Sequence, residues 1–257
     1  MSLLQQITST RPAGGPIPPV RMNIQGTDGI GKSTFGAGSL DPVFIQAEDG
    51  LSFIDVPRFP QANTWGELLQ QIKALVDAEQ SYKTVVLDTT DAAAKLGEEY
   101  VCEKNGWSSA ADPKAGYGAF YVAEENAWVH LLAGLNALHT QKGMNVILLS
   151  HVASKAYKDP ELEPYDRWEM RCNKKVNSLI KDWVDFNLFA NYETQLIKDG
   201  QKARGVSYGN RGLFTQFAAA YDAKSRLALP SKLEFSWNAF MEAYTAALAA
   251  NTNTEAA

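Results

Sequence analysis

The segment Gly26-Thr27-Asp28-Gly29-Ile30-Gly31-Lys32-Ser33-Thr34 constrains the fold of this chain more than any other. It has the spacing G-x-x-x-x-G-K-[ST], in which each fixed position has a physical task. Glycines allow a tight turn whose backbone N–H groups point at one anion, and a helix that begins near Gly31 adds its positive end. Lys32 can bridge the terminal phosphates of a nucleotide, and the Ser33 hydroxyl can bind Mg²⁺. The segment therefore predicts a phosphate-binding loop between a strand and a helix.

The flanking residues agree with that prediction. Residues 20–24 are interpreted as a strand, and residues 32–39 predict a short helix that ends before Asp41-Pro42. Without this context the segment would be read as a glycine-rich surface turn.

Composition limits the remaining possibilities. The chain has 257 residues, of which 45% are hydrophobic, and this is enough for one sizeable core. It shows no apolar run long enough to span a bilayer and no signal-peptide core, so we expect a cytoplasmic protein without a membrane partner. The formal net charge of −5 argues against a generally basic nucleic-acid-binding surface but leaves a local basic loop open. Cys102 and Cys172 have no metal-type spacing and are expected to be free thiols.

Apolar runs alternate with amphipathic segments along the chain. We expect strands at residues 42–47, 84–88, 144–150 and 184–192, and helices at residues 65–80, 91–103, 119–140, 173–183 and 236–249. This alternation predicts a parallel sheet with right-handed crossovers. Residues 193–207 predict a hairpin about Asp199-Gly200, whereas residues 104–118 and 153–171 are predicted to be long loops. We divide the chain into a flexible lead (1–19), a core (20–235), and a C-terminal helix with a disordered tail (236–257).

Two of the predicted strands end in acids. Parallel strands present their carboxyl ends at one sheet edge, where ligands collect, so Glu48 and Asp88 are expected at the same edge. Asp88 is suited to hold the water shell of Mg²⁺, or else it is an ordinary helix cap. Glu48 is suited to orient and deprotonate a water molecule, or else it is a solvated turn acid. His151 ends another strand and either contacts the terminal phosphate or is a hydrogen-bonded rim residue.

Absent motifs weaken two rival classes of nucleotide-binding protein. A GTPase would carry D-x-x-G at the end of the strand predicted at residues 84–88, but the sequence there is Asp88-Thr89-Thr90-Asp91, and no N-K-x-D motif occurs. A small-molecule kinase would carry an arginine-rich lid, but residues 153–171 contain only Arg167 and Arg171. The kinase interpretation is therefore weaker, although it is not eliminated.

With these residues placed, residues 20–233 resemble the RecA-like ATPase core. The chain is most similar to compact single-domain phage nucleotide-binding proteins of RecA type, which have been linked to single-strand annealing and recombination. The motifs that carry the resemblance are Gly26–Thr34, Phe44-Ile45-Gln46-Ala47-Glu48, Val85-Val86-Leu87-Asp88, Leu148-Leu149-Ser150-His151 and Tyr221-Asp222-Ala223-Lys224-Ser225-Arg226. The resemblance implies an α/β fold with a mainly parallel central sheet flanked by helices, a β-hairpin and a C-terminal helix. It also implies ATP and Mg²⁺ as cofactors.

The resemblance assigns roles to individual residues. It implies that Glu48 is the catalytic carboxylate, assisted by Lys32, and that Asp88 and Ser33 hold Mg²⁺. His151 stands where the family usually has a glutamine that reads the γ-phosphate. Lys224 and Arg226 match two cations that reach the ATP of a neighbouring subunit, which implies self-association as a ring or filament; the alternative is a surface turn before Pro230.

The resemblance also places a DNA path along the two predicted loops. The first loop contributes Trp107, Lys114 and Tyr117, and the second contributes Lys155, Lys158 and Arg167. Aromatic rings and cations are what a sequence-tolerant single-strand groove needs, although loop aromatics also pack down and the second loop carries several acids.

The predicted function is that of a DNA-dependent ATPase acting on single-stranded DNA in phage recombination or annealing, in the cytoplasm of the bacterial host and with a single-strand binding protein as a candidate partner. The alternatives are a nucleotide-dependent scaffold or switch in phage replication or packaging, and a phosphotransferase acting on a small acceptor.

Overall fold

The fold is known from a computed structural model that describes residues 15–116, 118–199 and 202–254. Within these residues the strands are β1 (Arg21–Gly26), β2 (Pro42–Gln46), β3 (Thr84–Asp88), β4 (Asn145–Tyr157), β5 (Tyr165–Met170), β6 (Phe186–Asp199), β7 (Lys202–Phe214), β8 (Lys224–Ser225) and β9 (Lys232–Glu234). The helices are α1 (Lys32–Ala37), α2 (Trp65–Asp77), α3 (Thr90–Asn105), α4 (Ala119–Lys142), α5 (Lys174–Trp183) and α6 (Trp237–Thr254), and a short 3₁₀ helix spans Pro113–Ala115.

The strands form one mixed sheet in the order β2-β3-β4-β1-β6-β7-β9. The first five run parallel to one another, whereas β7 and β9 are antiparallel additions, and β5 and β8 pair with β4 and β6. The predicted α/β class with a mainly parallel central sheet is therefore confirmed. Because β4 lies between β1 and β3, the carboxyl ends of these three strands meet at one edge.

The parallel strands are almost continuously apolar because both of their faces are covered. On one face α2, α3, α4 and α5 bury a core in which Trp65 and Trp128 contact edge to face, with ring centroids 5.6 Å apart. On the other face α1 and α6 bury a second core around Phe35 and Phe240. The sheet is thus held rigidly from both sides, so that its carboxyl edge is a fixed platform for functional groups.

The prediction of a long loop at residues 153–171 is wrong. Strand β4 continues to Tyr157 and the chain returns as β5, with Lys155 opposite Arg167 in the antiparallel register. The rings of Tyr157 and Tyr165 lie 5.5 Å apart across the two strands. The polar sequence of residues 153–171 did not predict the β4–β5 hairpin. The hairpin lies beyond the helix-covered part of the sheet, so its strands have no continuous apolar face that would indicate strand periodicity.

The other differences concern element ends. Residues 104–118 are partly ordered as the end of α3 and the 3₁₀ helix, and α6 extends beyond its predicted end at residue 249 to Thr254. The predicted hairpin is confirmed as β6–β7, where Asp199 pairs with Lys202. Most of the predicted flexible lead and the last three residues of the predicted tail lie outside the described residues. Just before the core, the Pro18 carbonyl accepts a hydrogen bond from the Tyr244 hydroxyl of α6 at 3.1 Å.

Candidate nucleotide site

The predicted phosphate loop connects β1 to α1 and has a wound backbone. Gly29 and Gly31 adopt φ values of 71° and 104°, which are in the left-handed region that favours glycine. A Cβ atom on Gly31 would also lie 2.4 Å from Nη1 of Arg211. Within this loop the buried Lys32 ammonium donates to the carbonyls of Gly26 and Thr27, at 3.1 and 3.0 Å. The lysine is thereby held over the loop, in the position from which it can meet a phosphate.

Ser33 and Asp88 meet beside this loop. The Ser33 hydroxyl donates to Oδ2 of Asp88 at 2.7 Å, although the two residues belong to α1 and to the end of β3. Burial raises the pKa of Asp88, and the hydrogen bond from Ser33 opposes that rise. A hydroxyl and a carboxylate in contact are the hard oxygen ligands that Mg²⁺ prefers, so the pair fits the ion that accompanies a nucleotide.

Glu48 follows β2 at the same edge of the sheet. Its Oε1 accepts a hydrogen bond from the Thr89 hydroxyl at 3.1 Å, and its side chain is 39% exposed. Oε1 also lies 4.0 Å from Nδ1 of His151. Glu48 and His151 were both predicted to lie at the ends of strands, and the fold brings them together at the carboxyl edge of the sheet.

Asp91, in the first turn of α3, is a member of the site that sequence reasoning missed. Its carboxylate accepts from the backbone N–H of His151 at 3.0 Å and contacts Nδ1 of the same residue at 3.0 Å. Burial works to raise the pKa of Asp91, but these bonds from His151 outweigh it and lower the pKa to about 2. The position of Asp91 just after the Asp88 strand was the signal that could have found it. Glu48, Asp91 and His151 offer ligand atoms within 4.8 Å of one another, a spacing that would also suit a cation.

The opposite ring nitrogen of His151 faces the phosphate loop. Nε2 lies 3.3 Å from Oδ1 of Asp28, while Nη2 of Arg171 lies 2.7 Å from Oδ2 of the same carboxylate. The hydrogen bond from Arg171 is the main reason why the pKa of Asp28 is lowered. Arg171 had no predicted role, and no local pattern marks it.

The β6–β7 hairpin covers the other side of the loop. Nη1 of Arg211 donates to the Ile30 carbonyl at 2.9 Å, and the Tyr192 hydroxyl donates to the Gly29 carbonyl at 3.4 Å. A cleft of about 150 Å³ beside α1 is lined by Gly31, Thr34, Phe35, Gly38, Arg211, Phe235, Ser236, Trp237 and Asn238. Sequence reasoning also missed Arg211 and Tyr192, because nothing in their own strands distinguishes them.

Lys224 and Arg226 lie away from this chain's own phosphate loop. Lys224 pairs with Asn187 near the start of β6, whereas the loop leaves β1 at the opposite, carboxyl edge. The Lys224 ammonium donates to the Lys181 carbonyl, and Nη1 of Arg226 lies 3.4 Å from Asp185. The structure does not bring these two cations into the site of their own chain.

The described residues among those predicted to contact DNA divide into three groups. Lys114, Lys155 and Lys158 are exposed, whereas Trp107 is half-buried against Phe120, with the two rings 6.4 Å apart. Tyr117 lies outside the described residues.

The third group is Arg167, for which the expectation of an open loop cation needs correction. Its side chain is only 7% exposed, and its guanidinium lies over the rings of Tyr157 and Phe217, 3.6 Å from Asp222. The burial comes from Tyr157 of β4 together with Phe217 and Asp222, which follow β7 along the chain.

Comparison with known proteins agrees with this architecture. The family model described as "AAA domain" matches residues 18–227, so the chain belongs to that family. The helices of residues 15–116, 118–199 and 202–254 include none that is both long and apolar enough for a membrane span.

Two individual proteins are similar to the chain. The first is the SPbeta prophage-derived uncharacterized protein YorG of Bacillus subtilis (strain 168), which is 29% identical over 101 residues; the match covers 38% of this chain and 31% of YorG, so it spans less than a third of that relative. The second is the crystal structure of the RadB recombinase, with 12% identity and a TM-score of 0.47 over 88% of this chain and 92% of the other.

Proposed function

We propose that the chain binds Mg²⁺·ATP at residues 26–34 and hydrolyses it. The observation that carries this proposal is the 2.7 Å contact between Ser33 and Asp88 beside Lys32. Ser33 and Asp88 would hold Mg²⁺, which would supply positive charge against the charge that develops on the phosphates. Glu48 would then orient and deprotonate the attacking water from the neighbouring strand.

The base of the nucleotide would lie in the cleft beside α1. That cleft combines the guanidinium of Arg211 with the rings of Phe235 and Trp237, and these are flat groups on which a purine can stack. In this arrangement the phosphates would point toward Lys32. Lys224 and Arg226 would act on the ATP of a neighbouring copy, in a ring or filament, because they lie far from the carboxyl edge of their own sheet.

We further propose that the ATPase acts on single-stranded DNA in phage recombination or annealing, in the bacterial cytoplasm. A cavity of about 410 Å³ between α4 and the base of the β4–β5 hairpin supports this, because it combines an exposed ring with several cations. Its lining includes Tyr121, Lys155, Lys174 and Lys175, to which Lys158 on the hairpin and Lys114 add exposed charge. Tyr121 would stack on bases while the lysines meet phosphates.

The decisive experiment measures phosphate release by the wild-type chain and by Lys32→Ala, each with and without single-stranded DNA. ATP turnover that rises with DNA and disappears in the variant supports the whole proposal. Turnover that ignores DNA supports the ATPase alone, and no turnover with no heat of binding for Mg²⁺·ATP overturns both parts.

A second candidate function is a nucleotide-dependent scaffold or switch in phage replication or packaging. It is favoured by the net charge of −5 and by the inward orientation of Arg167. A salt titration of binding to a single-stranded oligonucleotide separates the two functions. A steep salt slope that appears only with ATP supports DNA action, and no binding at low salt supports the scaffold.

A further inference from the structure

Two nitrogen donors from the β4–β5 hairpin converge on one carboxylate of the phosphate loop. His151 of β4 and Arg171, the residue directly after β5, approach separate oxygens of Asp28 at 3.3 and 2.7 Å. The Arg171 backbone N–H also donates to the His151 carbonyl at 3.0 Å, so the two side chains start from adjacent points of the ladder. The hairpin is therefore tied to the loop by charge.

This attachment can be exchanged easily. The side chains of Asp28 and Arg171 are 63% and 42% exposed, and an ion pair so open to water contributes little to stability. A triphosphate carries more negative charge than one carboxylate and offers a guanidinium two oxygens in a matching plane. It would therefore compete well for the same donors.

The terminal phosphate would arrive at the same place. In this loop type the lysine reaches the terminal phosphates, and Lys32 is electrostatically coupled to Asp28. His151 pairs with Gly26, the first residue of the loop, across β1 and β4. His151 is also fixed from behind by Asp91, so Arg171 is the donor that is free to reorient.

We propose that Arg171 is a phosphate-reading residue that exchanges Asp28 for the terminal phosphate of the nucleotide. This inference rests on the proposed nucleotide binding and deepens it. Since Arg171 is joined directly to β5, its exchange changes the restraint on the β4–β5 hairpin. The hairpin then differs between the triphosphate and diphosphate states.

The test compares the affinity for a non-hydrolysable ATP analogue with the affinity for ADP, both with Mg²⁺, by calorimetry. The ratio of the two affinities cancels general effects of charge on nucleotide binding. Arg171→Gln is expected to lower the preference for the triphosphate about tenfold or more, which is the loss of one charge-assisted hydrogen bond. Arg171→Lys, which keeps the charge, guards against misfolding as the cause. Lys73→Gln, which removes an exposed cation from α2, is the matched control and is expected to leave the ratio unchanged.

Asp28→Asn should shift the preference in the opposite direction, because it removes the competitor. That gain should disappear in the double variant Asp28→Asn, Arg171→Gln. Equal weakening of both nucleotides by Arg171→Gln, or no change in the ratio, would overturn the exchange while leaving nucleotide binding intact. Failure of the wild-type chain to bind either nucleotide would instead refute the proposed function.

Hydrogen exchange supplies an independent readout. The analogue, but not ADP, should alter exchange of the amides of β4 and β5 in the wild-type chain, and Arg171→Gln should abolish the difference. An identical difference in the variant would contradict the coupling of the hairpin to the phosphate.

Discussion

The two hairpins that flank the phosphate loop hold it by different chemistry. The β4–β5 hairpin contacts a charged side chain, Asp28, through His151 and Arg171. The β6–β7 hairpin contacts two main-chain carbonyls, those of Gly29 and Ile30. A phosphate competes directly with a carboxylate for nitrogen donors, whereas a carbonyl that faces away from the anion has no such competitor. The first hairpin is therefore suited to respond to the nucleotide, and the second to support the loop whatever is bound.

The largest expected effect is on the rate of ATP hydrolysis, at the site between the two hairpins. Glu48→Gln should bind Mg²⁺·ATP with an affinity close to that of the wild type but hydrolyse it at least about a hundredfold more slowly, because the amide cannot accept a proton from water. Single-turnover phosphate release measures this directly. Glu67→Gln, at a half-buried position in the first turn of α2, is the matched control and should have normal turnover. Equal rates for Glu48→Gln and wild type would remove Glu48 from the mechanism.

The next largest effect is expected on nucleotide affinity, from a substitution in the β6–β7 hairpin. Arg211→Ala should weaken binding of ATP and ADP equally, by about tenfold, because a bond that shapes the loop serves both nucleotides alike. Titration with both nucleotides measures this effect. Lys95→Ala, at an exposed position of α3, should leave both affinities unchanged. A loss of affinity for ATP alone would show that Arg211 responds to the type of nucleotide, and would contradict the comparison of the two hairpins.

The free energy of unfolding should also depend on pH, through one buried acid near the end of the β4–β5 hairpin. Glu124 is fully buried, and its Oε2 accepts from the Asn173 side chain at 2.5 Å. Burial raises the pKa of Glu124 to about 7, despite the opposing bond from Asn173. The native state therefore binds more protons than the unfolded chain between about pH 4.5 and 7, so this group makes the free energy of unfolding fall as pH rises through that window.

Glu124→Gln removes the titrating group and keeps an acceptor for Asn173. It should raise the free energy of unfolding by about 1–2 kcal/mol at pH 8 and leave it nearly unchanged at pH 4.5. Urea denaturation at the two pH values measures the difference, with the more exposed Glu125→Gln as control. A gain of equal size at both pH values would show that packing rather than ionisation is responsible.

The smallest effect should come from Tyr192. Its hydrogen bond to Gly29 is long, at 3.4 Å, so Tyr192→Phe should change nucleotide affinity by less than about threefold. A tenfold loss would indicate that the β6–β7 hairpin supports the loop mainly through this ring and not through Arg211.

Local sequence was a good guide where local chemistry dominates. The phosphate loop, the buried strands and the acids at their ends all follow from residue spacing and apolar runs. The β4–β5 hairpin escaped because polar strands lack an apolar face. Arg167 was consequently expected in the open, whereas Tyr157 of β4 and two residues that follow β7, Phe217 and Asp222, cover it.

Sequence alone determined the phosphate-loop spacing at residues 26–34 and the edge to which Glu48, Asp88 and His151 belong, because a tight glycine turn and strand ends are encoded within a few residues. Only the tertiary structure decided which distant side chains hold that loop. Arg171 reaches Asp28 across 143 residues of chain, and Arg211 reaches Ile30 across 181. Such contacts depend on the order of the strands in the sheet and on the orientation of each hairpin, and neither property can be predicted from the residues adjacent to Arg171 or Arg211.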